Sequence, residues 1–200
     1  MSLPAHRLGV IVLVAAALIP LEAATVSRQS ADEFSMKMAL IQRQGDAADR
    51  AGTRRTPLTE DELNSWFMYK AQPLLPEGFA QPQIAIGGDG RLTGHAVVNL
   101  GAVAKQRSTD GTFDPFSLIG GTVPVTVTGI LHSGDGMARF EVQSAEVAGI
   151  PVPVTVLQDL VKSYSRTPEE PQGLRLDDAF ALPAGILRIE IAQGRAVVVQ

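Results

Sequence analysis

Three stretches of this chain repeat one layout, and that layout commits most of the sequence to antiparallel sheet. Each is an alternating strand, a glycine-containing turn and a second alternating strand. The first runs Gln83–Ile86, then Gly87-Gly88-Asp89-Gly90, then Arg91–Leu100. The second runs Val123–Leu131, then His132-Ser133-Gly134-Asp135-Gly136, then Met137–Val147. The third runs Ile186–Ile191, then Ala192-Gln193-Gly194, then Arg195–Gln200. Glycine and Asp-Gly supply the positive φ angles that tight hairpin turns need. Within the strands, Leu92, Ala96, Val98 and Leu100 alternate with Thr93, His95 and Asn99, and Leu187, Ile189 and Ile191 alternate with Arg188 and Glu190. Period-two alternation means a sheet with one wet face and one dry face. Pro124 removes a ladder donor, which predicts an edge strand or a bulge there.

Helices are written between and before these strands. Thr59-Glu60-Asp61-Glu62 fits a capping box, with three acidic residues at the positive end of the helix dipole. The helix it opens puts Leu63, Trp66, Phe67 and Lys70 on one stripe and stops before Pro73. A second helix is predicted over about 153–165, where Pro153 suits the first position and Val154, Leu157, Leu160, Val161 and Tyr164 follow at helical spacing. Residues 25–44, with Phe34, Met38 and Ile41 at helical spacing, read as a further helix, and 45–57 as a mobile linker. The predicted fold class is α+β: a curved antiparallel sheet of hairpins with two or three amphipathic helices packed on its apolar face. Its divisions are a signal peptide at 1–24, a helical and polar segment with linker at 25–57, and a single domain at 58–200.

The signal reading rests on Leu8–Ile19, twelve apolar residues after His6 and Arg7, followed by Pro20 and the small residues Ala23 and Ala24. Twelve helical residues reach about 18 Å, short of a bilayer core of about 30 Å. Export to the periplasm or cell envelope is therefore the expected localisation, with membrane contact only through this segment if it is retained.

Composition removes several function classes. The chain has no cysteine, which excludes disulfides, thiolate metal sites and thiol nucleophiles. A net charge of −4 gives no attraction for polyanions, so nucleic acid is not an expected partner. His95 and His132 stand apart from any nucleophile motif, metal pair or general-base arrangement, and read as surface residues. The glycine runs at 87–90 and 120–121 match neither phosphate-binding fingerprint and read as turns. No catalytic residue, metal ligand or cofactor is expected, and an enzyme ranks third among the function classes.

The order of export signal, TEDELN helix, hairpins, a helix after GIPVP and a closing LPAGILRIEIAQGRAVVVQ hairpin resembles small secreted bacterial envelope proteins. In layout it is similar to bacterial relatives of the tubular lipid-binding superfamily, over roughly residues 57–200. That resemblance implies a long helix on a strongly bent sheet, with an apolar groove for acyl chains between them.

Two function classes follow. The first is a non-catalytic envelope protein that binds a lipid or another apolar small molecule in a helix–sheet groove. Aromatics are only 5% of the residues, so a dry face of Val, Ile, Leu and Ala leaves room for a ligand. The candidate lining is Trp66, Phe67, Val98, Val125, Val127, Phe140, Val142, Leu160, Tyr164 and Ile189. The same residues serve equally as a filled core. The second class is an assembly module that docks an envelope protein through the 25–57 arm or an edge strand, near Pro124 or at Val197–Gln200.

Overall fold

The structure is a computed structural model, described over residues 26–47, 52–99, 121–164, 172–173 and 175–200; the side chains of 159, 160, 163 and 164 lie outside the described residues. The predicted signal segment at 1–24 lies outside them too. The described chain is α+β. It opens with helix α1 (Arg28–Asp46), strand β1 (Arg55–Thr59) and helix α2 (Glu60–Tyr69), followed by a single 3₁₀ turn at Gln72–Leu74. Strands β2 (Phe79–Ile86), β3 (Arg91–Asn99), β4 (Thr122–Gly134), β5 (Met137–Val147) and β6 (Ile150–Val152) lead to helix α3 (Val154–Tyr164). The two-residue β7 (Phe180–Ala181) and the hairpin β8 (Arg188–Ala192) and β9 (Arg195–Val199) complete it. No helix among the described residues is long and apolar enough to cross a membrane.

All three predicted hairpins form, as β2–β3, β4–β5 and β8–β9. They divide between two sheets. The first two build a six-stranded sheet in the order β2-β3-β4-β5-β6, with β7 on the far end of β5. The third builds a three-stranded sheet in the order β1-β9-β8. The strand β1 begins at Arg55, inside the stretch read as linker, because Thr56 and Leu58 find partners in Val198 and Ala196. Ile41 of α1, Ile186 and Val198 pack as one buried cluster beside Leu58 and Ile189, so the N-terminal helix is part of the core.

Two expectations about edges are corrected. Pro124 is not on an edge strand: β4 lies between β3 and β5, with Pro124 opposite Val97. Its missing donor is tolerated because β5 ends at Val147, and only the Ala148 N–H reaches back to the Pro124 carbonyl at 2.8 Å. The C-terminal strand is not an edge either. β9 sits between β1 and β8, and Val198 and Val199 are among the most buried side chains of the protein. The valine run that looked like a free apolar edge is the centre of a sheet.

Helix α2 forms as written. The Thr59 hydroxyl accepts from the Glu62 N–H at 3.2 Å, and the Glu62 carboxylate accepts from the Thr59 N–H at 3.0 Å. Its deepest residues are Glu62 and Ser65 rather than the predicted Leu63/Trp66/Phe67 stripe, because α2 is held from two sides. Against α1, Ser65 Oγ accepts from the Ser27 N–H, Lys37 pairs with Glu62, and the Phe34 and Trp66 rings lie 5.5 Å apart. Against β2, the Asn64 carboxamide donates to the Ile84 carbonyl and accepts from the Ile84 N–H, both at 2.8 Å.

Side chains and prolines close the strand edges in turn. On β2, Asn64 occupies Ile84, Glu60 accepts from the Ile86 N–H, the Gly194 N–H donates to the Ile86 carbonyl, and Pro82 has no donor to offer. On β8, the Ser133 hydroxyl donates to the Ile189 carbonyl and accepts from its N–H, at 2.8 and 2.9 Å, clasping one sheet to the other. Arg54 and Gln200 exchange both backbone bonds, so alternate residues of β1 turn outward and Pro57 sets its missing N–H on the outer side. Pro151 takes a donor out of β6. Blunted edges of this kind oppose strand addition.

Candidate functional site

The six-stranded sheet has the two faces that alternation demanded. On the wet face, Thr93 and Thr128 share a 3.0 Å hydrogen bond across β3 and β4, and two residues along the strands His95 Nδ1 meets the Thr126 hydroxyl at 2.9 Å. Arg91 donates to Gln143, and His132 Nε2 lies 3.0 Å from the Glu141 carboxylate. Both histidines are exposed and each is engaged by a neighbour on the sheet. The dry face carries Leu92, Gly94, Ala96 and Val98 on β3, Val123, Val125, Val127 and Gly129 on β4, and Phe140, Val142 and Ala145 on β5.

Along this face burial is uneven. Val98 and Ala145 are buried, while Val123, Val125, Val127, Phe140 and Val142 are half-buried. The side chains at 94, 96 and 145 are small, and Val123 and Val125 pack against Val98 beside them. Farther along, the Phe140 ring lies over Gly129: a Cβ added there would stand 2.6 Å from its Cζ. The helix α3 packs against β5.

A cleft of about 370 Å³ opens where α3 meets β5. Val142, Val154 and Leu176 form its apolar part, and Glu141, Thr155, Gln158, Arg175 and Asp177 its polar rim. The Gln158 carboxamide oxygen accepts from the Leu176 N–H at 2.9 Å, while its Nε2 is buried and has no hydrogen-bond partner among the described residues. A buried amide donor left without a partner is costly unless something supplies an acceptor. At the rim, the Arg175 guanidinium donates to Asp177 and holds that carboxyl below the usual carboxylate range.

The ten predicted lining residues do not gather in one cavity. Trp66 and Phe67 are ring partners, 5.5 Å apart, and Trp66 is stacked under α1 by Phe34. Ile189 packs beside Ile41, Ile186 and Val198 in the core under the three-stranded sheet. Val98 and Val125 share a cluster with Val123, while Val127 and Phe140 lie farther along the same dry face. Of the described candidates, Val142 lines the α3–β5 cleft. Leu160 and Tyr164 fall on α3, their side chains outside the described residues.

Sequence reasoning missed a larger cleft of about 640 Å³ between α2 and β2, with polar and apolar groups mixed in its lining. Glu60, Asn64, Met68, Gln72, Gln81, Gln83 and His95 line it together with Val26 and the backbone of β2. Two of its polar groups, Glu60 and Asn64, are already spent on the β2 edge. The signal that would have found it is Gln81-Pro82, where the β2–β3 register shifts and Gln81 takes a φ of 50°.

No protein-family model matches the sequence, and no curated protein or solved structure matches it either.

Proposed function

We propose that this protein is a non-catalytic envelope protein that carries one lipid-like apolar molecule along the dry face of β3–β5, entering at the α3–β5 cleft. The observation that carries the reading is the half-burial of Val123, Val125, Val127 and Val142 on the inner strands of a sheet, next to a cleft at the helix that borders them. Interior strands ordinarily bury such side chains fully, and a concave apolar surface with a few polar groups at its rim is what small apolar ligands occupy. The unpartnered Gln158 Nε2 suits the carbonyl of an acyl ester. The sequence-based expectations of a tubular lipid-binding layout and of an export signal at 1–24 point to the same class of ligand and compartment.

The rival reading, an assembly module docking by strand addition, is weakened by the edges. The C-terminal strand is flanked on both sides, and β1, β2, β6 and β8 are each blunted by a proline or a side chain. The arm at 25–57 is likewise engaged, through α1 with α2 and through β1 with β9.

Native mass spectrometry with lipid extraction, on protein recovered from a bacterial periplasm, tests the proposal. A stoichiometric lipid that is lost in Val142→Trp supports it. Protein that is free of lipid and takes none up from vesicles refutes it.

A further inference from the structure

Beside the same cleft, Ile150, Val154 and Val156 form an apolar rim that faces solvent, and we infer that this rim is the surface by which the protein touches a lipid bilayer. The inference rests on the carrier reading and supplies the route by which a ligand would reach the cleft.

The rim is built rigidly. Val147 and Ile150 are register partners, so β5 and β6 are joined by the two residues Ala148 and Gly149. Their φ angles are 53° and 75°, the left-handed pair of a tight hairpin turn. This turn holds out Ile150, which is 66% exposed. Val154 and Val156 follow on the first turn of α3 at 39% and 37% exposure, and Val154 also lines the cleft. Val154 thus belongs both to the exposed apolar tip and to the lining of the cleft.

Its chemistry selects the partner. From Val147 through Gln158 there is no charged side chain and no histidine. Exposed large apolar groups grouped in this way mark a contact surface. A protein partner adding a strand here meets Pro151 in β6 and Pro153 just beyond it, neither of which offers an N–H. A bilayer asks for no such donors, only for side chains that enter the headgroup boundary. The chain's net charge of −4 gives anionic lipid no electrostatic pull, so attachment is apolar, reversible and insensitive to salt.

The absence of cysteine makes the test direct. The full chain carries a single Ile150→Cys substitution labelled with a polarity-sensitive fluorophore, and a second preparation carries Gln193→Cys at the exposed β8–β9 turn. Each is mixed with phosphatidylcholine vesicles at low and high salt. The expected result is a blue shift, and quenching by bilayer-borne spin labels, at 150 but not at 193, unchanged by salt. In unlabelled protein Ile150→Asp should lower vesicle partitioning at least about tenfold. A label at 150 that stays aqueous, or one that shifts no more than the label at 193, overturns the inference. Lipid extraction of the same samples separates the two claims: bound lipid with an aqueous label at 150 leaves the carrier reading standing without the rim. Insertion at 150 without bound lipid does the reverse.

Discussion

The carboxamide of Asn64 stands in for a strand: it pairs with both the N–H and the carbonyl of Ile84 at 2.8 Å, and so ends the six-stranded sheet at β2. A helix side chain performs there the exchange that another strand's backbone would perform.

Asn64→Ala strips two partners from part-buried backbone groups and should cost about 1–3 kcal/mol. Asn64→Asp should also destabilise, since a carboxylate accepts from the Ile84 N–H but cannot donate to its carbonyl. Urea denaturation of the two variants checks both expectations, and an unchanged midpoint for Asn64→Ala would mean that the edge needs no cap. Light scattering at rising concentration adds a second readout, because a reopened edge promotes association.

Gly45 should respond against the usual rule. Glycine to alanine within a helix normally gains about 0.5–1 kcal/mol. Here the added Cβ would lie 2.2 Å from the Ala184 carbonyl oxygen, with backbone on that side rather than a flexible side chain. Gly45→Ala is therefore expected to destabilise by about 1–3 kcal/mol. A thermal melt that rises instead would show that α1 is free to move away from residue 184.

Phe34 and Trp66 should be coupled. Their rings are 5.5 Å apart and tilted by 41°, a favourable aromatic geometry. Single and double alanine substitutions should give a coupling of about 0.5–1.5 kcal/mol in a double-mutant cycle. Trp66 is the only tryptophan, so Phe34→Ala should also red-shift the intrinsic fluorescence as α1 loosens over α2. Strict additivity would count against the packing of these two helices.

Acid should weaken the three-stranded sheet through Glu190. Arg55 on β1 donates to this carboxylate, with Arg188 adding to the effect, and together they hold it below the usual range. A depressed folded pKa means stabilisation that is complete above the unfolded value of about 4.3 and is lost as pH falls through the folded value. Glu190→Gln should flatten this acid limb while changing little near neutrality, since the pair is exposed and its contribution is small. Melting temperatures from neutral pH down to well below the unfolded value of about 4.3 decide it. Parallel curves for the two proteins would assign the acid response to other carboxylates.

Local chemistry carried most of the elements into view. Thr59 and Glu62 announce α2, Pro153 announces α3, and the glycines at 90, 136 and 194 take the positive φ angles of the three hairpin turns. What escaped was long-range pairing. Alternation gives Val197, Val198 and Val199 a strand but cannot say that β1, a short segment interrupted by Pro57, supplies the second neighbour. The same gap explains Pro124, whose interior place depends on where β5 happens to end. Apolar periodicity named residues that pack, without separating Val142 at the α3–β5 cleft from the clusters around Trp66, Ile189 and Val98. A residue lining a cleft and one facing another side chain have the same hydropathy.

The central position of β9 also sets the order in which the molecule can assemble. The Gln200 carboxamide donates to the carbonyl of Ile41, 159 positions upstream, and β1 has its register partners in β9. During synthesis, α1 and β1 therefore emerge long before the segment that completes their sheet. Closing so long a loop is opposed by chain entropy, and long-range pairing of this kind favours slower folding. Until residues 195–200 arrive, α1 has α2 to pack against, but β1 has no strand to pair with.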